Sequence, residues 1–326
     1  MTAPLLEIRN LSVEFGPVSR PLRVVDGVSF SMRPGEALGV VGESGSGKSM
    51  TALSILRLLP EPPARVSGEV VFNGRDLMRL PKKDMPDVRG KEIGMIFQEP
   101  MSSLNPLITI GDQIDEAIML HETISPAERR ERVVGLLRLV GMPDPQSRLN
   151  AYPDQFSGGM RQRVMAAMAM ACNPKLLIAD EPTTALDVTI QAQVLELMLD
   201  IRRRFNSAIL LITHDLGVVA EVCERVVVMY SGRIVEDAPV EALFTEARHP
   251  YTQGLLQSVP TLTDTRDRLY QIPGSVPPAG TIREGCPFRP RCPLRMDRCA
   301  VEMPPLVSHG PTHRAACWAT MSETSV

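Results

Sequence analysis

Apolar residues follow two different patterns along this 326-residue chain. Leu5–Phe15 alternates between apolar and polar positions, and a second strand is expected over Val24–Met32. Three later runs are continuously apolar, which is typical of parallel strands covered on both faces of a sheet. These runs are Leu176–Ala179, Ile209–Thr213 and Val226–Tyr230.

Helical spacing appears between these strands. Val188–Arg204 has apolar residues at helical intervals and basic residues at its end, so it predicts a helix. Strands alternating with helices predict an α/β core. Between Gln98 and Gly159 no strand-like run is obvious, and the spacing is helical over Asp112–Leu120 and Pro126–Val140. We therefore expect a helical insertion within the core.

The pattern changes again towards the C-terminus. After about Glu241 proline becomes frequent, and a short helix expected around Tyr251–Ser258 leads into a cysteine-rich tail. This tail has too few apolar residues to form a core alone, so we expect a separate appendage. The predicted organisation is an α/β core of residues 1–97 and 164–240, a helical subdomain of residues 98–163 and a C-terminal domain of residues 241–326.

Composition limits the class of protein. The chain is 44% hydrophobic and 22% charged with a net charge of −3, which is ordinary for a globular protein and does not favour a polyanion-binding surface. The first residues lack the basic and apolar regions of a secretory signal. No apolar run approaches the roughly 20 residues of a membrane-spanning helix. We expect a soluble cytosolic protein whose membrane parts, if it has any, lie on other chains.

The clearest chemical motif is a glycine-rich loop that matches G-x-x-x-x-G-K-S. It follows the apolar run Ala37–Val41 and precedes a helix expected from about Lys48, which is the context a phosphate-binding loop requires. In such a loop the backbone N–H groups converge on phosphate oxygens, so we expect Lys48 to reach the β- and γ-phosphates and the Ser49 hydroxyl to ligate Mg²⁺. The alternative is a glycine-rich turn with an incidental lysine. The candidate nucleotide-binding residues are Gly42, Ser44, Gly45, Gly47, Lys48 and Ser49.

Polar residues at the ends of two predicted strands are candidates for catalysis. Asp180 and Glu181 end one strand, where Asp180 could hold Mg²⁺ and Glu181 could polarise the attacking water. The alternative for such adjacent acids is helix capping or a loop role. His214 follows Ile209–Thr213 and could contact the γ-phosphate, although an isolated histidine is usually structural.

The whole series of motifs resembles the ATPase cassette of an ATP-binding cassette (ABC) transporter. The members that carry this resemblance are the loop Gly42–Ser49, Gln98, Ser157-Gly158-Gly159, Asp180-Glu181, Asp187 and His214. It implies an α/β phosphate-loop ABC ATPase core with a helical subdomain insertion and a small, irregular, cysteine-rich C-terminal domain. It also implies a soluble subunit that binds ATP and Mg²⁺.

The resemblance assigns further roles. Two cassettes of this family dimerise head to tail, so Ser157, Gly158 and Gly159 would close over ATP held by the opposite subunit. Gln98 would sense Mg²⁺ and the attacking water, and Asp187 would touch the opposite subunit. Phe15 would stack on adenine, although an aromatic residue ending a first strand often belongs to the core. The chain has Met160 where the family usually has glutamine.

Three longer segments resemble the peptide-importer branch of that family, which includes oligopeptide, dipeptide and nickel import ATPases. They are Phe97–Pro106, Pro182–Gln193 and His249–Leu256. The chain looks most like the first of two unlike ATPase subunits. The resemblance implies a second, homologous ATPase subunit, two transmembrane permease subunits and a substrate-binding protein, with this chain peripheral on the cytoplasmic face of the inner membrane.

Other functions stay open at this stage. The same machinery could import nickel or another small solute. An ABC ATPase acting on nucleic acid would typically carry two cassettes or a long coiled coil, and this chain has one cassette and no heptad run. We therefore expect no nucleic-acid partner. An exporter is disfavoured because exporters commonly fuse the cassette to a membrane domain.

Four cysteines lie close together near the C-terminus: Cys286, Cys292, Cys299 and Cys317. Disulfides are disfavoured in a reducing cytosol, and none of the intervals has the C-x₂₋₄-C spacing common in zinc sites. Four thiolates are the usual ligands of a [4Fe–4S] cluster, and the arginines between them would offset its negative charge. The peptide-importer resemblance implies such a cluster, with zinc or four reduced thiols as alternatives.

Overall fold

The computed structural model describes residues 3–98, 103–184, 187–259, 270–282 and 284–321. Its contacts divide the chain into two compact units. The first comprises residues 1–32, 37–78 and 213–326, and the second comprises residues 33–36 and 79–212. This grouping differs from the three parts expected from the sequence, whose bounds remain a prediction.

The strands of the described residues are β1 (Leu6–Phe15), β2 (Leu22–Met32), β3 (Ala37–Val41), β4 (Arg65–Phe72), β5 (Arg75–Asp76), β6 (Ile93–Ile96), β7 (Leu176–Asp180), β8 (Ala208–Thr213), β9 (Arg225–Tyr230), β10 (Arg233–Pro239), β11 (Val307–Ser308) and β12 (Arg314–Ala315). The α-helices are α1 (Lys48–Ile55), α2 (Ile110–Met119), α3 (Pro126–Leu139), α4 (Pro145–Arg148), α5 (Gly158–Ala169), α6 (Val188–Phe205), α7 (Leu216–Val222), α8 (Val240–Glu246), α9 (Pro250–Gln257) and α10 (Arg298–Val301). Within the described residues, none of these helices combines the length and apolar character needed to cross a bilayer.

The first unit contains an antiparallel sheet in the order β2–β1–β4–β5. Leu6 on β1 lies opposite Met32 on β2 and Phe72 on β4. Leu6, Ile8, Leu11 and Val13 of β1 are buried while its intervening polar residues are partly or fully exposed, as the alternation predicted.

A second sheet of this unit has the order β11–β12–β10–β9–β3. Strands β3 and β9 are parallel, whereas β9, β10 and β12 pair antiparallel. Through β12, the C-terminal segment hydrogen-bonds directly to β10, with Ala315 opposite Glu236. The segment expected to be a separate appendage thus shares a sheet with β9 and β10. A region with few apolar residues joins an existing sheet instead of forming its own core.

The second unit has a parallel sheet in the order β8–β7–β6. All five residues of β7 are buried, which accounts for its continuous apolar sequence. Helices α2, α3 and α5 pack on one another, and α5 also packs on β6. Helix α3 begins with a capping box in which Ser125 and Glu128 each accept a hydrogen bond from the other's backbone N–H.

The predicted helices and apolar strands are confirmed within about two residues, but the strands β4, β5, β6, β10, β11 and β12 were missed. Strand β10 was missed because it contains two buried carboxylates, Glu236 and Asp237. Asp237 forms ion pairs with Arg225 at 2.9 Å and with Arg314 at 2.5 Å. Charged residues within a buried strand interrupt the apolar pattern by which the strand would be predicted. These carboxylates can be buried because they pair with residues distant in sequence.

Glu236 also binds the segment that follows the strand. Its two carboxylate oxygens accept hydrogen bonds from the backbone N–H groups of Arg248, at 2.6 Å, and His249, at 3.0 Å. His313 lies 2.7 Å from the same carboxylate. The fully buried Glu236 side chain thus joins β10, the start of α9 and the C-terminal segment.

We expect Glu236→Gln to lower the free energy of unfolding by about 2–3 kcal/mol, because an amide NH₂ replaces an acceptor and leaves a buried donor unsatisfied. Urea unfolding of the purified chain measures the change. Glu246→Gln is the control, since Glu246 pairs with Arg248 at the surface. Equal midpoints for Glu236→Gln and the parent protein would contradict this role.

Candidate functional site

The glycine loop Gly42–Ser49 connects β3 to α1 in the first unit. Its backbone passes too close to neighbouring strands for side chains at two positions. A Cβ on Gly42 would lie 2.2 Å from the carbonyl oxygen of Met229, and one on Gly47 would lie 2.8 Å from that of Val24. Glycine is therefore a steric requirement of the loop, as well as a means of exposing N–H groups to phosphate.

Lys48 is the first residue of α1 and is 5% exposed. Its Nζ donates to the carbonyl oxygens of Gly42 at 2.7 Å and Glu43 at 3.2 Å. The first turn of α1 contains no acidic residue, so no carboxylate there offsets the positive end of the helix. Ser49 is half-buried beside Lys48, whereas Ser44 and Gly45 are exposed. The loop thus combines a cation, helix N–H groups and a hydroxyl, which suits a phosphate with its Mg²⁺.

Two other predicted residues belong to the same unit. Phe15 is the half-buried last residue of β1. His214 directly follows β8 and is exposed. Asp215 then begins α7, where its Oδ1 accepts hydrogen bonds from Gly217 N at 2.8 Å and Val218 N at 3.3 Å. This capping fixes the backbone immediately after His214.

The second unit brings Gln98 and Glu181 together, although they are 83 residues apart in sequence. Glu181 Oε2 accepts hydrogen bonds from Gln98 Nε2 at 3.1 Å and from Thr184 Oγ1 at 2.9 Å. Asp180 lies beside Glu181 and is buried at the end of β7. Sequence reasoning assigned no role to Thr184, although it lies in one of the segments that resemble peptide importers.

The backbone of Glu181 is left-handed, with φ of +48°, which is uncommon for residues other than glycine. Its N–H nevertheless donates to the Ile212 carbonyl at 2.8 Å, so β8 holds this conformation. Strained residues of this kind are often found at functional sites. Together with the two side-chain hydrogen bonds, this gives the Glu181 carboxylate a defined orientation.

The predicted signature residues begin α5. Ser157 is its N-cap, and its hydroxyl accepts a hydrogen bond from Met160 N at 3.4 Å. Asp187 caps α6 in the same way, through Ile190 N at 2.9 Å. A Cβ on Gly159 would lie 2.7 Å from Ile190 Cγ2, so the two helix starts are in contact. Ser157, Gly158 and Asp187 are all exposed.

The four C-terminal cysteines are reduced and at least partly buried. Burial raises the pKa of Cys286 to about 11. Burial also raises the pKa of Cys292 and Cys317. Among the described residues, no group of three or more His, Cys, Asp or Glu could hold a metal ion. The predicted cluster therefore gains no direct support from this arrangement.

Neighbouring glycines allow the contact between α5 and α6 to be tested. We expect Gly159→Ala to destabilise the chain by about 1 kcal/mol, because its methyl group meets Ile190. Gly158→Ala is the control: its Cβ meets nothing within 4 Å, so we expect no loss. Urea unfolding measures both, and in an Ile190→Ala background the cost of Gly159→Ala should fall. Equal losses of stability for Gly158→Ala and Gly159→Ala in the parent protein would contradict the contact between α5 and α6.

Comparison with known proteins places these observations in a family. Residues 25–184 match the family described as ABC transporter, and residues 235–299 match the oligopeptide/dipeptide transporter C-terminal region. The ATP-binding cassette MJ0796, solved as a dimer bound to ADP and Pi, has a TM-score of 0.65 and 26% identity. That match covers 72% of this chain and 98% of the cassette, which confirms the α/β phosphate-loop fold.

Two curated relatives match over almost their whole length. The dipeptide transport ATP-binding protein DppD of Escherichia coli is 51% identical, covering 93% of this chain and 92% of the relative. The oligopeptide transport ATP-binding protein AppD of Bacillus subtilis is 50% identical, covering 96% of each. This chain therefore belongs to the family of ATP-hydrolysing subunits of peptide-type ABC transporters, which confirms the family predicted from its motifs.

Proposed function

We propose that this chain hydrolyses ATP to power the uptake of dipeptides or oligopeptides across the cytoplasmic membrane. The observation that carries the catalytic part is the Glu181 carboxylate, held by Gln98 and Thr184 on a left-handed backbone. The peptide-transport names of the relatives support the choice of substrate.

In this proposal the phosphate loop binds the triphosphate. Lys48 exchanges its hydrogen bonds with the loop carbonyls for the β- and γ-phosphates, and the backbone N–H groups of Gly45 and Gly47 surround the phosphate oxygens. The Ser49 hydroxyl and the Asp180 carboxylate hold Mg²⁺, since hard oxygen donors are what this ion prefers. Phe15 stacks on the adenine.

Glu181 is the proposed general base, which polarises the attacking water. Gln98, which senses Mg²⁺ and the attacking water in this proposal, donates a hydrogen bond to the Glu181 carboxylate. A change at the water or at Mg²⁺ can therefore reach Glu181 through Gln98. His214 contacts the γ-phosphate. Because Asp180 is buried while Glu181 is only half-buried, the two neighbouring carboxylates suit different tasks, one in metal binding and one in proton transfer.

We propose that the active assembly is a heterodimer with a second, homologous ATPase subunit. Ser157, Gly158 and Asp187 are exposed at the starts of two helices, where an opposing subunit's nucleotide could reach them. The dimeric state of the solved cassette MJ0796 supports such an arrangement. Met160 contributes its backbone N–H to capping, and its side chain cannot supply the amide hydrogen bonds of a glutamine.

The helical part of the second unit is the proposed docking region for two transmembrane permease subunits. It exposes large apolar side chains, which is characteristic of interaction surfaces. These side chains are Leu107, Met119 and Leu120. In this arrangement the chain lies peripherally at the cytoplasmic face of the inner membrane, and a substrate-binding protein delivers peptide to the permeases.

For the cysteines we propose a [4Fe–4S] cluster held by Cys286, Cys292, Cys299 and Cys317. The four cysteines lie within 32 positions of sequence with arginines between them, which supports a shared site. A cubane cluster bonds each thiolate to a different iron, so its ligands need not converge on one position as zinc ligands do. Ligation requires the thiols to lose their protons, because thiolates are the ligands of such clusters.

The function is tested by uptake of labelled peptides. Cells lacking this chain should lose uptake of labelled di- and oligopeptides, and the parent gene should restore it. Labelled nickel is the comparison substrate. Restored uptake of nickel without uptake of any peptide would replace the proposed substrate class while leaving the ATPase role intact.

We expect Glu181→Gln to retain Mg·ATP binding but to lower the hydrolysis rate by at least about 100-fold, as for loss of a general base. Lys48→Ala should lose both binding and hydrolysis. Phosphate release in the assembled transporter and nucleotide binding by the purified chain are the two measurements. Glu196→Gln, an exposed glutamate on α6, is the control. Hydrolysis at the parent rate by Glu181→Gln would remove this residue from the base role.

Anaerobically purified protein should contain roughly four irons and four acid-labile sulfides per chain. Replacing any one of Cys286, Cys292, Cys299 or Cys317 by serine should lower both contents, whereas Cys172→Ser and Cys223→Ser should not. Elemental analysis with a sulfide assay measures both contents. Stoichiometric zinc without sulfide, or no metal at all, would contradict the cluster.

A further inference from the structure

The C-terminal segment reaches the phosphate loop itself, at Glu43, the second residue of the glycine motif. The Glu43 backbone N–H donates to the Tyr251 hydroxyl at 2.8 Å. Its carboxylate receives two hydrogen bonds from the Arg291 guanidinium, Nη1 to Oε2 at 2.6 Å and Nη2 to Oε1 at 3.0 Å. Residues from two later parts of the chain therefore bind both the backbone and the side chain of one loop residue.

Arg291 is itself held firmly. Its side chain is 4% exposed, its Nε donates to the Pro273 carbonyl at 2.9 Å, and its Nη2 donates to that of Ile272 at 3.3 Å. Although burial disfavours its charge, the hydrogen bonds with Glu43 raise the pKa of Arg291 above its ordinary value. A two-pronged, poorly solvated ion pair of this kind fixes the relative position of its partners better than a surface pair does.

Tyr251 is fixed by aromatic packing. Its ring lies 4.7 Å from that of Tyr230 and 5.4 Å from that of Phe288, centroid to centroid. Its backbone N–H donates to His249 Nδ1, and burial lowers the pKa of His249 to about 3, which keeps this ring neutral. The Tyr251 hydroxyl is therefore presented to the loop by a rigid cluster.

On its other side, Glu43 contacts the phosphate-binding lysine, because the Glu43 carbonyl accepts a hydrogen bond from Lys48 Nζ at 3.2 Å. We propose that Arg291 and Tyr251 are positioning residues for nucleotide binding, which hold Glu43 and so keep the phosphate loop in its binding conformation. The C-terminal segment is thus part of the machinery that binds ATP, in addition to any group its cysteines hold.

The test compares Arg291→Gln, Arg291→Lys and Tyr251→Phe in the full chain, each with Glu181→Gln to prevent turnover. The dissociation constant of Mg·ATP is measured by calorimetry. We expect about a tenfold weaker affinity for Arg291→Gln, and a smaller loss for Arg291→Lys, since lysine cannot form the two-pronged contact. Tyr251→Phe should weaken binding by about fivefold while keeping the ring packing.

The control is Arg225→Gln. Arg225 also forms a half-buried ion pair in the first unit, with Asp237 at 2.9 Å, but Asp237 lies on β10, outside the phosphate loop. Urea unfolding midpoints are measured for every variant. We expect Arg225→Gln to lower the urea midpoint without changing the affinity for Mg·ATP. If Arg291 had only a structural role, Arg291→Gln would show the same pattern.

A double-variant comparison tests the route through Glu43. If Arg291 acts through this residue, Glu43→Gln with Arg291→Gln should bind Mg·ATP no more weakly than the more affected single variant. Parent-like affinity in both Arg291→Gln and Tyr251→Phe, or fully additive losses in the double variant, would overturn the proposal. Tyr251→Phe alone decides the matter if Arg291→Gln fails to fold.

Discussion

The phosphate loop depends on a close backbone approach to strand β9. With the Met229 carbonyl oxygen 2.2 Å from where a Cβ of Gly42 would lie, the loop can take its path only without a side chain there. Residues after Met229 also contact the loop and its neighbours. The Gly232 N–H donates to the carbonyl of Ser46 in the loop at 2.9 Å, and the Tyr230 ring packs against Tyr251. The backbone path of the phosphate loop is therefore held by contacts with β9 and the turn that follows it.

Polar pairs with a buried partner, together with aromatic contacts, hold the C-terminal segment in place, as apolar packing holds the strands of the core. The buried Glu236 carboxylate hydrogen-bonds to His313, the buried Asp237 carboxylate pairs with Arg314, and the buried Arg291 guanidinium pairs with Glu43. Breaking one partner of a buried pair leaves an uncompensated charge, so each pair favours a single arrangement of the segment. Arg291, which lies between Cys286 and Cys292 in sequence, thus ties the cysteine-rich region to the phosphate loop by polar contacts.

Local signals in the sequence predicted much of the fold and the candidate site. Continuous apolar runs identified β7, β8 and β9, and the glycine motif gave the phosphate loop with α1 beginning at Lys48. The pairing of Arg291 with Glu43 spans 248 positions and leaves no periodic signal, so sequence reasoning could not find it. Likewise, the role of Thr184 depends on the left-handed turn at Glu181, which no residue-level preference predicts.

The helix caps show how one side chain can serve both the fold and the chemistry. The Ser157 hydroxyl uses one lone pair to accept the Met160 N–H, which leaves its proton available for donation. Capping thus orients the hydroxyl at the positive end of α5, where a phosphate oxygen is the natural acceptor. Asp187 differs, because a capping carboxylate has only acceptors and would repel phosphate. Of the two capping side chains, the Ser157 hydroxyl can donate a hydrogen bond to a phosphate oxygen, whereas the ionised Asp187 carboxylate can only accept hydrogen bonds.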